Sequence, residues 1–170
     1  MQTKTALIVI DFQNARTDDQ SDYYVGNLKE LITKTNYLIN YARNMDYKII
    51  FTKHIEQQGD FAEHSINSHI MDGIEKSDTD IVIQKNKISS FYKTNMEEEL
   101  NGIENVVVCG ILTNLCVRSF VQDAYDRDYK IVLIKDCCIA FDKKIHEFTL
   151  EDLKQTREEI DILELEAFLE

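Results

Sequence analysis

Short apolar, β-branched runs alternate along the chain with segments whose apolar residues recur every three or four positions, and these two periods predict most of its elements. Residues 6–10 (Ala-Leu-Ile-Val-Ile) are continuously apolar and stop at Asp11, the pattern of a strand buried on both faces. Between 25 and 45, Leu28, Leu31, Ile32, Thr35, Leu38, Ile39, Ala42 and Met45 keep the spacing of an amphipathic helix. Residues 47–52 read as a second strand, 81–84 as a third with Lys85 just beyond it, 106–109 as a fourth before Gly110, and 131–134 as a fifth ending near Asp136. A helix over 116–127 places Val117, Phe120, Val121, Ala124 and Tyr125 on one face, with Arg118, Gln122, Asp126 and Arg127 opposite. One or two helical turns at 95–100, a helix over 146–158, a sixth strand over 160–163 and a short helix over 165–169 complete the pattern. The polar stretch 53–79, with Gly59, Gly73 and one helical turn, is long for a plain connection and is expected to be a lid or partner surface.

Strand and helix in alternation give a parallel sheet with helices on both faces, a three-layer α/β/α arrangement. Ligands of such sheets bind outside the carboxyl ends of the strands. Asp11, Lys85 and the 110–116 turn each follow a strand directly, so they are the residues expected to converge on one crevice.

The chain has 170 residues and is 44% hydrophobic, which fits one domain over 1–170 with a sizeable core. Lys and Arg total 19 against 31 Asp and Glu, a net charge of −12 that disfavours nucleic-acid binding. The longest apolar stretches, 6–10 and 106–112, are too short to span a bilayer, so no membrane association is expected. Residues 1–6 carry charge with no apolar h-region after them, which predicts no secretory leader and a cytoplasmic location. The five glycines (Gly26, Gly59, Gly73, Gly102, Gly110) are never closer than eight positions, which excludes both a dinucleotide fingerprint and a Walker phosphate loop.

Four cysteines stand at 109, 116, 137 and 138 without a CxxC pair, so neither a zinc ribbon nor a thioredoxin motif is present. Cys109 lies inside a predicted strand and reads as inert core. Cys116 opens a predicted helix, where unpaired N–H groups and a nearby cation are expected to lower its pKa from roughly 8.5 by one to several units. The same N–H groups suit the oxyanion formed when a thiolate attacks a carbonyl. Asp11, at a strand mouth, is suited to take the thiol proton and pass it to a leaving group, with Asp136 as the rival acid. Lys85 is the cation that would keep Asp11 ionised.

Three segments resemble the isochorismatase-like cysteine hydrolase superfamily, which includes nicotinamidases and related amidases. Residues 6–14 read ALIVIDFQN, like that family's apolar strand ending in Asp-x-Gln-Asn. Residues 85–91 read KNKISSF, like its K-x-R-Y-S-A-F, and 107–117 read VVCGILTNLCV, like its V-x-x-G-x-x-T-x-x-C-V. The resemblance runs in order over most of 5–163 and implies a six-stranded parallel α/β fold of Rossmann-like topology. It implies Cys116 as nucleophile, Asp11 as general acid/base and Lys85 as electrostatic partner. It also implies a cis peptide joining Ile111 to Leu112, with the Leu112 and Cys116 N–H groups forming the oxyanion hole. By position in the motifs, Gln13, Phe91 and Thr113 would contact the substrate. The implied reaction is hydrolysis of a small amide through a thioester, without a cofactor. Relatives commonly self-associate, so a homodimer or homotetramer is expected.

Departures from the family pattern bear on substrate and metal. Nicotinamidases carry Asp-x-His and a further His as metal ligands, where this chain has His54, Glu56, His64 and His69, and no metal site is expected. Arg16 replaces an aromatic residue, Lys87 and Ile88 replace arginine and tyrosine, and Asp128 replaces glycine. Two alternatives to a cysteine amidohydrolase stay open: a hydrolase of isochorismate or another non-amide, and a non-enzymatic partner-binding domain that keeps the same residues.

Overall fold

The computed structural model describes residues 4–170. Six strands form one parallel sheet: β1 (Thr5–Ile10), β2 (Lys48–His54), β3 (Ile81–Lys85), β4 (Asn105–Ile111), β5 (Lys130–Ile139) and β6 (Asp161–Leu163). Their spatial order is β3-β2-β1-β4-β5-β6. The chain thus builds outward one way from β1, then returns to the other side of β1 to place β4, and the order reverses between these two strands. Crossovers in an α/β sheet are right-handed. Helix α1 (Lys29–Asn44), which joins β1 to β2, and α3 (Arg118–Tyr125), which joins β4 to β5, run in opposite directions from the reversal and so cover opposite faces. Helices α2 (Met96–Glu99), α4 (Lys143–Thr156) and α5 (Leu165–Leu169) complete the layers.

Burial follows the sequence pattern. Residues 6–10 of β1 are all fully enclosed, and α1 turns Leu31, Thr35, Leu38, Ile39 and Ala42 inward. At the carboxyl mouth, Ile10 stands level with Thr52 on one side and Gly110 on the other. A Cβ on Gly110 would lie 2.5 Å from the Ile10 Cβ and 2.6 Å from its carbonyl oxygen, and its φ is +151°. Only glycine lets β1 and β4 approach this closely at the reversal.

Several elements differ from expectation. Helix α1 starts at Lys29, later than position 25. Strand β5 continues to Ile139, through Asp136 and both vicinal cysteines. The segment expected to be helical from 116 begins with a π-helical turn over Thr113–Val117, and α3 proper starts at Arg118. Helix α4 begins at Lys143, capped by the Asp142 carboxylate, which accepts from the Lys144 and Ile145 amides. The stretch 53–79 is packed onto the body: Phe61, Ala62, Met71 and Ile74 are buried, and bridges pair Gln13 with Ile70 and Glu56 with Ala62. Among the described residues no helix is long and apolar enough to cross a membrane.

Candidate active site

Asp11 directly follows β1 in a left-handed conformation, φ 53°, which turns its carboxylate out of the strand ladder. The side chain is fully buried. Its Oδ1 accepts from Thr52 Oγ1 of β2 at 2.6 Å, and its Oδ2 meets the Lys85 ammonium at 2.8 Å. Lys85 is the last residue of β3, two strands away, and its long stem brings Nζ to the reversal point. There Nζ also lies 3.3 Å from Cys116 Sγ and 3.2 Å from the Lys87 carbonyl. Three remote strand ends thus meet at one buried polar cluster, as the strand-end rule requires.

Cys116 sits inside the π-helical turn, held by the Leu112 carbonyl, which accepts from the Leu115 and Val117 amides at 3.1 and 3.2 Å. The Ile111–Leu112 peptide is cis. Burial and then the Asp11 charge push the Cys116 thiol up to about 12, and Lys85 only partly offsets them. This corrects the expectation of a lowered pKa: Cys116 is only 7% exposed and lies before α3 rather than capping it, so desolvation outweighs any helix-end field. Burial also pushes the Asp11 carboxyl up, but the Lys85 charge and hydrogen bonds from Lys85, Thr52 and Cys116 bring it below its ordinary value. Burial lowers the Lys85 ammonium while the Asp11 and Cys116 charges raise it further, for a net upward shift. The resting cluster is a carboxylate, an ammonium and a protonated thiol. An ionised carboxylate within hydrogen-bond reach of a thiol is placed to accept its proton as sulfur bonds to carbon.

The remaining expected residues fall in different places. Gln13 was expected at the substrate, but its amide is fully engaged in bracing the 54–70 stretch. It donates to the His54 and Ser68 carbonyls at 2.9 and 2.7 Å and accepts from the His54 amide at 2.7 Å. Thr113, also buried, bonds His146 Nδ1 at 2.8 Å rather than facing open space. Burial holds His146 below its ordinary pKa. Phe91 stacks on Phe120 at 5.4 Å, under the Arg127 guanidinium at 4.3 Å, and lines an outer cavity with Lys87, Ile88 and Tyr92. Asp136 is not a rival acid at the site: it pairs with Lys34 at 3.2 Å and accepts from the Leu165 amide at 2.8 Å. Cys109, Cys137 and Cys138 are buried, and burial raises all three thiols.

The histidines do not gather. His54 Nε2 pairs with Glu56 at 3.0 Å, while His64 and His69 are exposed, and no three His, Cys, Asp or Glu side chains among the described residues form a metal-holding group. These residues do not fit a metal centre as the chain is folded, and no chemical step is routed through one.

Thr52 and an aromatic wall are the parts that sequence reasoning missed. The signal for Thr52 was a polar β-branched residue closing an apolar run. The wall consists of Tyr23 and Phe61, with ring centroids 4.7 Å apart, and His54 set edge-on to Phe61. Arg16 packs against both rings. A cleft of about 340 Å³ beside Lys85 is lined by Ile55, Glu56, Gln84, Asn86 and Tyr92.

Known proteins share this arrangement of chain. Residues 5–161 match the Isochorismatase domain. The chain is 27% identical over 165 residues to Nicotinamidase 3 of Arabidopsis thaliana, covering 87% of this chain and 79% of the relative. It is 26% identical over 171 residues to ureidoacrylate amidohydrolase RutB of Agrobacterium fabrum, covering 79% and 75% of the two. A crystal structure of an isochorismatase family protein from Desulfovibrio vulgaris superposes with a TM-score of 0.88 at 21% identity, covering 97% and 96%, which shows a common fold.

Proposed function

The chain belongs to the isochorismatase family of hydrolases, and from that premise we propose that it cleaves the C–N bond of a small amide through a thioester on Cys116. The observation that carries this reading is the buried contact of Lys85 Nζ with both Asp11, at 2.8 Å, and Cys116 Sγ, at 3.3 Å. Cys116 Sγ attacks the carbonyl carbon as Asp11 takes the thiol proton, so no free thiolate accumulates despite the raised pKa. The Leu112 and Cys116 N–H groups receive the oxyanion. Collapse breaks the C–N bond, and Asp11 returns the proton to the departing ammonia or amine. Water then attacks the thioester, giving its proton to Asp11, and the carboxylic acid leaves as the thiol reforms. Lys85 stays charged throughout and favours the carboxylate form of Asp11 between proton transfers. The nicotinamidase and ureidoacrylate amidohydrolase relatives support an amide substrate.

The test is ammonia release from a panel of small amides. Cys116→Ala is expected to lower kcat by at least about 10³-fold. Turnover retained in that variant would remove covalent catalysis, and no turnover of any amide by the unsubstituted chain would favour hydrolysis of a non-amide or a partner-binding role.

A further inference from the structure

Arg16 is 5% exposed, yet its guanidinium donates no hydrogen bond and makes no ion pair among the described residues, and its Nε and Nη1 are fully enclosed without a partner. Buried charge of this kind is costly unless paired, so an arginine left in this state points to an absent anion. Nearby carboxylates of the same loops are not that anion. Asp60 accepts from Ser21 and Asn67, and Asp18 accepts from Asn67. The backbone around Arg16 is fixed, since its amide donates to the Gln13 carbonyl at 3.0 Å and its carbonyl accepts from Val25 at 3.1 Å. Tyr23 and Phe61 hold the guanidinium carbon at 5.6 and 5.3 Å from their ring centroids. Aromatic faces attract a cation but leave its in-plane donors unmet. The position is the active end of the sheet: Arg16 follows Asp11 by five residues, and the Phe61 ring against its guanidinium also meets His54, the last residue of β2, whose carbonyl accepts from Gln13.

We propose that Arg16 recognises a carboxylate carried by the substrate, so that this chain acts on small amides bearing a negative charge rather than on neutral ones. The proposal rests on the amide-hydrolase reading and narrows its substrate class. A guanidinium's planar donors match the two oxygens of a carboxylate, and the aromatic wall pre-organises it for that contact. An uncharged amide of the same shape leaves the arginine as stranded as it is without ligand.

Binding is measured by calorimetry on the full chain carrying Cys116→Ala, which prevents turnover. The probes are oxamate, malonamate, succinamate and glutaramate, each with its neutral diamide as control. At least one monoamide is expected to bind about tenfold or more tighter than its diamide. Arg16→Met on the same background, which keeps the apolar stem, is expected to abolish that preference while diamide affinity stays within about threefold. Arg16→Lys keeps the charge without the planar fork and is expected to retain part of the preference, so it reports on recognition even if the methionine variant folds poorly. The assignment is overturned if no monoamide outbinds its diamide, or if either substitution leaves the preference whole. Monoamides held through Arg16 but never hydrolysed by the unsubstituted chain would remove the hydrolase reading alone. Diamides bound and hydrolysed as well as monoamides would remove the arginine assignment alone.

Discussion

An ammonium has three N–H donors, and Lys85 meets three acceptors: Asp11 at 2.8 Å, Cys116 at 3.3 Å and the Lys87 carbonyl at 3.2 Å. Removing one partner of a buried ion pair strands the other charge, at a cost of about 3–5 kcal/mol. Lys85→Met is therefore expected to lose about that much stability near neutral pH in urea denaturation. The sign of its pH dependence follows from linkage. In the parent, Asp11 has a lowered pKa, so its stabilisation is present above the ordinary carboxylate range, about pH 4, and is lost as pH falls through the folded value. Lys85 has a raised pKa, so its stabilisation is present below the ordinary lysine range and is lost as pH climbs through the folded value. In the variant, burial acts on Asp11 without the Lys85 charge and hydrogen bond that chiefly offset it, so its pKa rises and the stability gap to the parent should narrow as pH is lowered toward about 4. A constant gap would show that the carboxyl is not charged in the parent. The meeting of Asp11, Lys85 and Cys116 was legible in sequence because the first two stand directly after predicted strands and Cys116 closes the turn after another. The protonation state of the thiol was not, because it depends on how completely distant segments enclose it.

At the scale of elements, the tight β1–β4 approach at Gly110 makes a definite demand. Gly110→Ala would force a Cβ to within 2.5 Å of Ile10, which must displace one strand at the mouth that carries Asp11. The expected loss is about 1–3 kcal/mol, read as a lowered denaturation midpoint, with a fall in any amide turnover because the Asp11–Cys116 geometry widens. Regular elements were legible where periodicity was strong: β1 lacks only Thr5 in the sequence reading, and the α1 core positions are those of the three-four pattern. The misread elements have a common cause, which is polar residues satisfied from afar. Strand β5 runs through Lys135 and Asp136 because Lys135 pairs with Glu164 at 3.0 Å and Asp136 is met by Lys34 and the Leu165 amide. Those partners come from other parts of the chain, and a local reading ends the strand where the apolar run ends. Helix α4 starts three residues early because Asp142 caps it, while Ile145 and Phe148 are exposed and give no inward-facing period. Gln13 was misplaced for a related reason, since the backbone groups that occupy its amide lie 41 and 55 residues away.

For the whole molecule, the contrast between surface and crevice decides how a ligand arrives. The chain carries a net charge of −12, yet Arg16 and Lys85, the two buried cations among the described residues, both stand at the active end of the sheet. Lys85 is neutralised by Asp11, which leaves Arg16 as the local excess positive charge. An anionic ligand therefore meets repulsion at long range and attraction only once it is inside. Salt distinguishes the two ranges, because the Debye length falls from about 30 Å at 0.01 M to about 8 Å at 0.15 M. Screening over that interval removes most of the long-range repulsion and much less of a contact inside a desolvated crevice. For a carboxylate-bearing amide, kcat/KM is expected to rise severalfold between those ionic strengths, mainly through a falling KM, while a neutral diamide shows no trend. Steady-state kinetics of the paired substrates across a salt series make the measurement. In Arg16→Met the acidic exterior is unchanged, so the salt trend for the charged amide should persist at a lower overall efficiency. That persistence separates the steering field of the molecule from the recognition made by one side chain.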